Sequence, residues 1–292
     1  MARNQKIYFI LVVLLCGGVF LTASAQNKSL KIISYNIFEG MKSDTTSGKK
    51  EFVKWIRSND PDILALEEAN NFTQTSLEEM ARQYNHPYAV LLKQNGFPVA
   101  LTSRYPIVNV SKVLDNMHHG FIQAEVNGYH IIVLHLSPHK YWKRREEADL
   151  ILQTVASQPS QKKWLIMGDF NSLSPLDKER YTDGKVLEKT QDAAKKYPYH
   201  DNLINKNMLD FEVQQKMLDF GLKDALKLKH KDFVSSRPTE KTSDNGKNPP
   251  SRIDYLYVSK DLKGKVLKAD ILKDSFTDWN SDHYPVFVEI KN

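Results

Sequence analysis

The sequence predicts an α/β sandwich in which two sheets pack face to face and helices cover their outer sides. Three observations lead to this prediction. Apolar β-rich segments and amphipathic helical segments alternate along the chain. Five β-rich segments follow one another between Tyr88 and Leu136 with no helical segment between them, which is typical of antiparallel hairpins. Too few helices separate successive strands for a doubly wound parallel sheet.

The N-terminal segment is predicted to be a secretory signal peptide over residues 1–25. A short basic head precedes an apolar run from Ile7 to Leu21, and residues 23–25 supply the small side chains of a cleavage site. The run is short for a membrane anchor. A lipoprotein signal at Cys16 is disfavoured because Leu15 stands where a small residue is needed. We therefore expect an exported protein, periplasmic or extracellular.

The rest of the chain, residues 28–292, is predicted to be one domain because no repeat and no Pro-, Gly- or Ser-rich linker divides it. Apolar residues make up 41% of the chain and charged residues 26%, which excludes collagen, coiled coil and wholesale disorder. Loss of the signal peptide removes two basic residues and no acid, so the net charge falls from +6 to +4. This mild positive charge is compatible with a phosphate-bearing substrate and does not require nucleic acid.

Hydrophobic periodicity and start and stop signals define the elements. The predicted strands are Leu30–Ile37, Asp62–Leu66, Tyr88–Lys93, Pro98–Ser103, Val108–Leu114, Phe121–Val126, Tyr129–Leu136, Trp164–Met167, Ile253–Val258 and Pro285–Ile290. The predicted helices are Lys49–Ser58, Thr73–Tyr84, Trp142–Ala156 and Met208–Leu218. Asn127-Gly128 predicts a tight hairpin because both residues tolerate positive φ. The polar stretches 174–207 and 235–250 are expected to be surface excursions.

Polar residues follow the apolar strands at the points where the strands end. Gly168-Asp169-Phe170-Asn171 follows the strand at Trp164, and strand alternation would place Asp169 and Asn171 on one face. A carboxylate beside an amide can hold a hard cation or a phosphate oxygen. The alternative is an Asx turn that only caps the strand.

Similar strand ends occur elsewhere in the chain, at Asn36, Glu67-Glu68, His135, Asp254 and Asp282-His283. Each has a plain alternative, a solvated acid or a core histidine, but together they form a set of oxygen donors with imidazoles. An acid such as Asp254 could hold His283 in one tautomer. Oxygen ligands without a thiolate favour magnesium, manganese or calcium over zinc.

Seven segments in this order resemble the endonuclease/exonuclease/phosphatase superfamily, which includes deoxyribonuclease-I-like enzymes, abasic-site endonucleases, sphingomyelinases and inositol polyphosphate 5-phosphatases. The matching segments are Ser34-Tyr35-Asn36, Leu66-Glu67-Glu68, Ser103-Arg104-Tyr105-Pro106, His135-Leu136, Gly168-Asp169-Phe170-Asn171, Arg252-Ile253-Asp254-Tyr255 and Ser281-Asp282-His283. The resemblance implies a four-layered αββα sandwich of two mainly antiparallel sheets, with the site at one edge of the paired sheets.

The resemblance also implies residue roles. The metal-binding set would be Asn36, Glu68 and Asp282, and the catalytic set would be His135, Asp169, Asn171, Asp254 and His283. The family usually has Gln where this chain has Glu67, which leaves open which of the adjacent acids binds the metal.

We therefore expect an exported phosphoesterase, monomeric and without stable membrane insertion, that uses Mg²⁺ (or Mn²⁺ or Ca²⁺) and attacks a phosphodiester or phosphomonoester with water. The candidate substrate contacts are Arg104, Arg144 and Arg145, although the last two could equally lie on the solvated face of a helix. Extracellular nucleic acid, phospholipid head groups and phosphorylated sugars or inositols all remain open as substrates. A non-catalytic binding module on the same fold is the alternative function.

Overall fold

The computed structural model describes residue 1 and residues 29–292, so the predicted signal peptide lies outside the described residues. The strands are β1 Ser29–Asn36, β2 Ile63–Glu67, β3 Tyr88–Leu91, β4 Ala100–Ser103, β5 Ile107–Val113, β6 Phe121–Val126, β7 Tyr129–His135, β8 Trp164–Asp169, β9 Leu203–Ile204, β10 Met208–Leu209, β11 Lys223–Asp224, β12 Asp254–Val258, β13 Val266–Ile271 and β14 Val286–Lys291. The α-helices are α1 Phe38–Met41, α2 Lys50–Asn59, α3 Gln74–Gln83, α4 Tyr141–Ala156, α5 Lys185–Lys196, α6 Glu212–Asp219 and α7 Thr277–Asn280. Short 3-10 helices cover Pro175–Tyr181, Glu240–Thr242 and Lys260–Lys265.

Two six-stranded sheets form the centre of the fold. The first has the order β13-β14-β1-β2-β4-β3 and the second the order β11-β12-β8-β7-β6-β5. Each sheet is antiparallel except for one central parallel pair, β1 with β2 and β7 with β8. Parallel neighbours end at the same edge of a sheet, so the carboxyl ends of β1 and β2 lie side by side, as do those of β7 and β8.

Alternation along the strands divides the apolar side chains between two layers. Ile32 and Ile63 point into the core between the sheets, whereas Ile33 and Leu64 pack outward against Phe52 of α2. On the other sheet, α4 and α6 cover the outer face in the same way. Each fully buried Ile or Leu contributes roughly 1.5–3 kcal/mol. The predicted four-layered αββα sandwich is confirmed.

Every predicted strand is present, with ends that differ by at most two residues, and the Asn127-Gly128 turn has positive φ at both residues. The predicted helix from Met208 to Leu218 is wrong at its start. Met208–Leu209 is a strand paired with β9, and α6 begins only at Glu212, whose backbone NH donates to Asp210 Oδ1 at 3.1 Å. Acceptors of this kind commonly mark a helix N-terminus.

Several short elements were not predicted, and neither were the helix α5 and the strand β13. The excursion 174–207 contains the helix α5, whose apolar side is only partly buried, with Val186 packed beside Tyr181 and Ile253. The strand β13 is an edge strand with several exposed side chains, so its sequence Val-Leu-Lys-Ala-Asp-Ile shows only weak alternation. Among the described residues, no helix has both the length and the apolar character needed to cross a membrane.

Candidate active site

The carboxyl ends of both parallel strand pairs meet at one edge of the sandwich. In the first sheet Asn36 is level with Glu67, and in the second His135 is level with Asp169. The antiparallel strand β12 begins beside this point, because Asp254 pairs with Asp169. The register of the sheets therefore brings together residues up to 218 positions apart in the chain, because the four parallel-paired strands end where β12 begins.

Asn36 joins the two sheets at this edge. Its side-chain NH₂ donates to Glu68 Oε1 at 3.2 Å and to Asp169 Oδ2 at 3.1 Å. Its Oδ1 accepts from the backbone NH of Phe38 at 3.1 Å, which fixes the orientation of the amide. Both carboxylates accept from one nitrogen atom, so they lie within two hydrogen-bond lengths of each other.

Glu68 has a left-handed backbone with φ +58°, which directs its side chain to the site. Its Oε2 accepts from the backbone NH of Glu39 at 2.8 Å. The turn at Glu39 and Gly40 is also left-handed, and a Cβ on Gly40 would lie 2.1 Å from the carbonyl oxygen of Asn70. Only glycine allows this approach. The sequence pattern gave no signal for this turn, although it holds Glu68 in place.

The neighbouring acid, Glu67, is level with Asn36 at the end of β2 and lies buried near Asp169, Asp254 and His283. It is fully buried, and its Oε1 accepts from Ser34 Oγ at 2.9 Å. Burial, with the nearby charge of Asp254, raises the pKa of Glu67 well above its usual value. A protonated Glu67 is neutral and similar in shape to the Gln that the family usually has here. The geometry thus favours Glu68 as the acid that faces the site.

Asp169 lies at the centre of the cluster and is buried. Its Oδ2 is 3.5 Å from His135 Nε2 and 3.9 Å from His283 Nδ1. Burial and the adjacent Asp254 raise the pKa of Asp169 to about 7. This carboxyl group can therefore exchange a proton near neutral pH.

His283 is paired with Asp254, as the sequence predicted. The ring Nδ1 lies 2.9 Å from Asp254 Oδ2, and both side chains are buried. Burial alone would lower the pKa of His283, but the carboxylates of Asp254, Asp282 and Asp169 raise it to about 10. The ring is therefore an imidazolium at neutral pH, and its Nδ1 donates to Asp254.

His135 lies on the other side of Asp169 and, unlike His283, carries no charge. It is buried, its pKa is lowered well below the usual value by burial and by the neighbouring His119, and it is neutral. The two imidazole rings stack with centroids 4.3 Å apart. His119 was not predicted, because no strand end or motif marks it in the sequence.

Asp282 provides a further oxygen donor. Its Oδ1 is buried without a hydrogen-bond partner, and its Oδ2 lies 3.6 Å from Arg237 Nη2. The preceding Ser281 donates from Oγ to the carbonyl of Asn36 at 2.6 Å, which ties this segment to β1. An unsatisfied buried carboxylate oxygen beside other carboxylates suits a hard divalent cation. Asp169, Asp254 and His283 also offer ligand atoms within 4.8 Å of one another and could hold a metal ion.

Asn171 differs from the sequence expectation. Strand β8 ends at Asp169, and Asn171 has φ +48°, so strand alternation does not determine where its side chain lies. Its backbone NH donates to Asp169 Oδ1 at 2.8 Å, so the Asx turn considered as an alternative does form. The Asn171 amide donates to the carbonyl of Leu136 at 3.1 Å and lines a cavity beside the site.

The structure does not bring Arg104 to this edge. It follows β4, next to the start of β2, and pairs with Asp62 at 3.0 Å and with Asp60 at 2.5 Å. Strand β2 separates Asp62 from Glu68 by roughly 20 Å at 3.3 Å per residue. The structure therefore does not bring Arg104 together with the other candidate residues, because the Arg-containing segment lies at the opposite end of the strand from the site.

Arg144 and Arg145 have different surroundings although they are adjacent in α4. Arg145 pairs with Asp210 at 2.7 Å and is not among the residues that line the cavity at Asn171, so its expected role in substrate binding is not supported. Arg144 is buried and lines that cavity. Helical geometry explains the difference, since successive residues point about 100° apart.

The chain matches the sequence profile of the Endonuclease/Exonuclease/phosphatase family over residues 33–283. No curated protein matches it. Among solved structures it is similar to an AP endonuclease from Archaeoglobus fulgidus, with 18% identity, a TM-score of 0.66 and coverage of 90% of this chain and 100% of that one. It is also similar to the 3′-5′ exonuclease NExo from Neisseria meningitidis, with 20% identity, a TM-score of 0.65 and coverage of 90% and 100%. A third structure, the 3′ phosphatase NExo from Neisseria bound to a product DNA hairpin, has 19% identity, a TM-score of 0.62 and coverage of 89% and 99%.

At these identities the similar structures support the fold, and the profile match supports the family. The matched range includes every residue of the site described above, from Asn36 to His283. The chain therefore belongs to the endonuclease/exonuclease/phosphatase family of phosphate-ester hydrolases, which depend on a divalent metal ion.

Proposed function

We propose that this protein is an exported phosphoesterase in which Glu68 and Asp282, with Asn36 beside them, hold Mg²⁺, or Mn²⁺ or Ca²⁺ in its place. The observation that carries the proposal is the position of the Asn36 amide. It contacts Glu68 from one sheet and Asp169 from the other, and the Asp254–His283 pair lies beside them. A metal-binding acid and a proton-accepting acid are thereby held next to each other.

The cation is expected at Glu68 rather than on the trio of Asp169, Asp254 and His283. In that trio His283 Nδ1 already donates to Asp254, and a protonated imidazole repels a cation. Glu68 accepts from two neutral donors, the Asn36 amide and the Glu39 backbone NH, and Oδ1 of Asp282 has no hydrogen-bond partner, while Oδ2 of Asp282 lies 3.8 Å from His283 Nε2. When bound, the cation polarises a phosphate oxygen and offsets the negative charge that develops in the transition state.

The residues of the chain then have separate roles in hydrolysis. Asp169 accepts the proton of the attacking water as its oxygen bonds to phosphorus and the ester oxygen leaves. Asp254 fixes Nδ1 of His283, so Nε2 is the ring atom that meets the phosphate and stabilises its charge. The resemblance gives His135, whose Nε2 lies 3.5 Å from Asp169 Oδ2, the role of assisting the leaving group.

The test uses hydrolysis of bis(p-nitrophenyl) phosphate with Mg²⁺, Mn²⁺ or Ca²⁺. We expect turnover that EDTA abolishes, and losses of about 100-fold or more in kcat for Asp169→Ala and for His283→Ala. Arg104→Gln is the matched control, because it lies at the far end of β2 and should keep wild-type turnover. Full activity in folded Asp169→Ala and His283→Ala proteins would show that the proposed mechanism is wrong.

Substrate class, export and oligomeric state are part of the same proposal and need their own measurements. The Neisseria 3′ phosphatase is bound to a DNA product, and this supports including plasmid DNA and RNA in a substrate panel with sphingomyelin, inositol phosphates and simple diesters. Cleavage of DNA that falls steeply with salt would favour a nuclease. Cell fractionation tests export, and sedimentation tests the expected monomer.

A further inference from the structure

A cavity of about 310 Å³ opens beside the catalytic edge. Asn171 and Arg237 line it, and Arg237 also lies 3.6 Å from Asp282 in the active site, so the two spaces adjoin. Its outer wall comes from α5 and from the segment 235–250, the two polar excursions of the sequence. These excursions therefore enclose space next to the site.

Positive charge dominates this cavity. Arg144, Lys189 and Arg237 all line it, and among the described residues that line it Asp210 is the only acid. The carboxylate of Asp210 pairs with Arg145 at 2.7 Å while its charge also raises the pKa of Arg144, and Arg237 lies 3.6 Å from Asp282, so the lining residues still carry more cations than acids.

Arg144 is the strongest sign that the cavity is built for a ligand. Its side chain is only 4% exposed, and Nη1 donates to the carbonyl of Ser137 at 3.0 Å and to Asn202 Oδ1 at 2.7 Å. Its Nε is buried without a hydrogen-bond partner, and in the described part of the chain no carboxylate lies within ion-pair distance of it. A buried guanidinium without a carboxylate is costly unless an anion completes it.

We propose that this cavity binds a second phosphate group of the substrate, and that the substrate is a small molecule with at least two phosphates. The proposal rests on the proposed function, because the first phosphate would be the one hydrolysed at Asp169. Guanidinium and ammonium groups that converge on one space are the usual partners of phosphate. The volume is at the lower end for small-molecule sites, which fits a phosphate on a short polyol or sugar and not a duplex.

The first experiment measures binding of inorganic phosphate to the purified protein in EDTA by calorimetry. Without metal, the acids of the catalytic edge repel phosphate, so binding reports on the cavity. We expect Lys189→Gln, at the exposed mouth, to weaken binding about 10- to 100-fold, as for loss of one charge-assisted contact. Lys196→Gln removes the same charge from the same helix outside the cavity and should change nothing. Arg144→Gln is a second variant, interpreted only if its circular dichroism is native.

The second experiment compares kcat/KM for 1,4-butanediol bisphosphate and for butyl phosphate with Mg²⁺. We expect a preference of at least about 10-fold for the bisphosphate in the wild type and in Lys196→Gln, and near loss of that preference in Lys189→Gln. Equal kcat/KM values, or phosphate binding that is independent of Lys189, would overturn the proposal. If kcat/KM for a single-stranded tetranucleotide depends on Lys189 and kcat/KM for the bisphosphate does not, the small-molecule assignment is wrong. Phosphate binding that depends on Lys189 without hydrolysis of any ester would instead contradict the proposed function.

Discussion

Arg252 is predicted to hold the beginning of β12, and with it Asp254, through a buried ion-pair network. Its Nε donates to Asp177 Oδ2 at 2.8 Å and its Nη1 donates to Asp224 Oδ2 at 2.6 Å. Arg252 is 0% exposed, and both acids are buried. Asp177 has a second cation, because Lys227 Nζ lies 2.6 Å from its Oδ1, whereas the ion pair of Asp224 is with Arg252.

The substitution Arg252→Met keeps most of the side-chain volume and removes the charge. It leaves the buried carboxylate of Asp224 uncompensated, which costs about 3–5 kcal/mol of unfolding free energy. For a domain of this size we expect a fall in Tm of about 6–20 °C. Because Asp254 follows two residues later and orients His283, kcat should also fall while KM changes little.

Urea unfolding followed by circular dichroism measures the change in free energy. Arg180→Met is the matched control, since Arg180 is exposed and its nearest acid, Asp183, is 3.6 Å away; a surface pair of this kind contributes about 0–1 kcal/mol. The double variant Arg252→Met with Asp224→Asn should regain part of the loss, because it removes the uncompensated charge. A cost for Arg252→Met no larger than that of Arg180→Met would refute this account of the network.

Three further predictions follow from the same structure. Titration of the metal-free protein with Mg²⁺ should stabilise it by about 2.7 kcal/mol at 100 times Kd, measured as a rise in Tm; Glu68→Gln should remove most of this rise, and a wild type that does not respond to any divalent ion would contradict the metal site. His86 is buried far from the site, and burial lowers its pKa from 6.5 to about 4. His86 is therefore protonated at a lower pH in the folded protein than in the unfolded chain, and the free energy of unfolding should fall by about 3 kcal/mol as the pH drops from 7 to 4. His86→Gln should flatten the pH dependence of the unfolding free energy measured in urea over this range. An unchanged pH dependence would rule out His86 as its source. Gly168 has φ +142°, and a Cβ there would lie 1.9 Å from the carbonyl oxygen of Leu134. Gly168→Ala should therefore displace β8 and lower both Tm and the turnover that depends on Asp169, and an active variant with the wild-type Tm would show that the strands can separate at low cost.

The sequence was sufficient to predict the fold class, the family and most of the residues that meet at the edge. Asn36, Glu68, His135 and Asp169 each follow an apolar run, and such runs are local signals that periodicity reveals. The structure brings these four together because they end the parallel pairs β1 with β2 and β7 with β8. The end of a strand can be predicted from the sequence, and because parallel neighbours end at the same edge of a sheet, their end residues can be expected to lie together.

The direction of the side chains at these strand ends could not be predicted from the hydrophobic pattern of the sequence. Glu67 and Glu68 have the same chemistry, and only the left-handed backbone at Glu68 decides which acid faces the site. Asn171 is likewise placed by a positive φ and an Asx turn rather than by strand alternation. Backbone angles at the end of a strand depend on tertiary contacts such as the approach of Gly40 to Asn70, which no local window contains.

The partners of the basic residues were decided by the tertiary structure alone. Arg104, Arg144 and Arg145 are the same residue type in similarly polar segments, yet the fold pairs Arg104 with Asp60 and Asp62, pairs Arg145 with Asp210 and leaves Arg144 beside a cavity. The strands can be read locally because burial of apolar side chains is non-directional and follows a short period. Which charges meet depends on segments far apart in the chain, so charge pairing, and with it the shape of the substrate site, is fixed only once the sheets have packed.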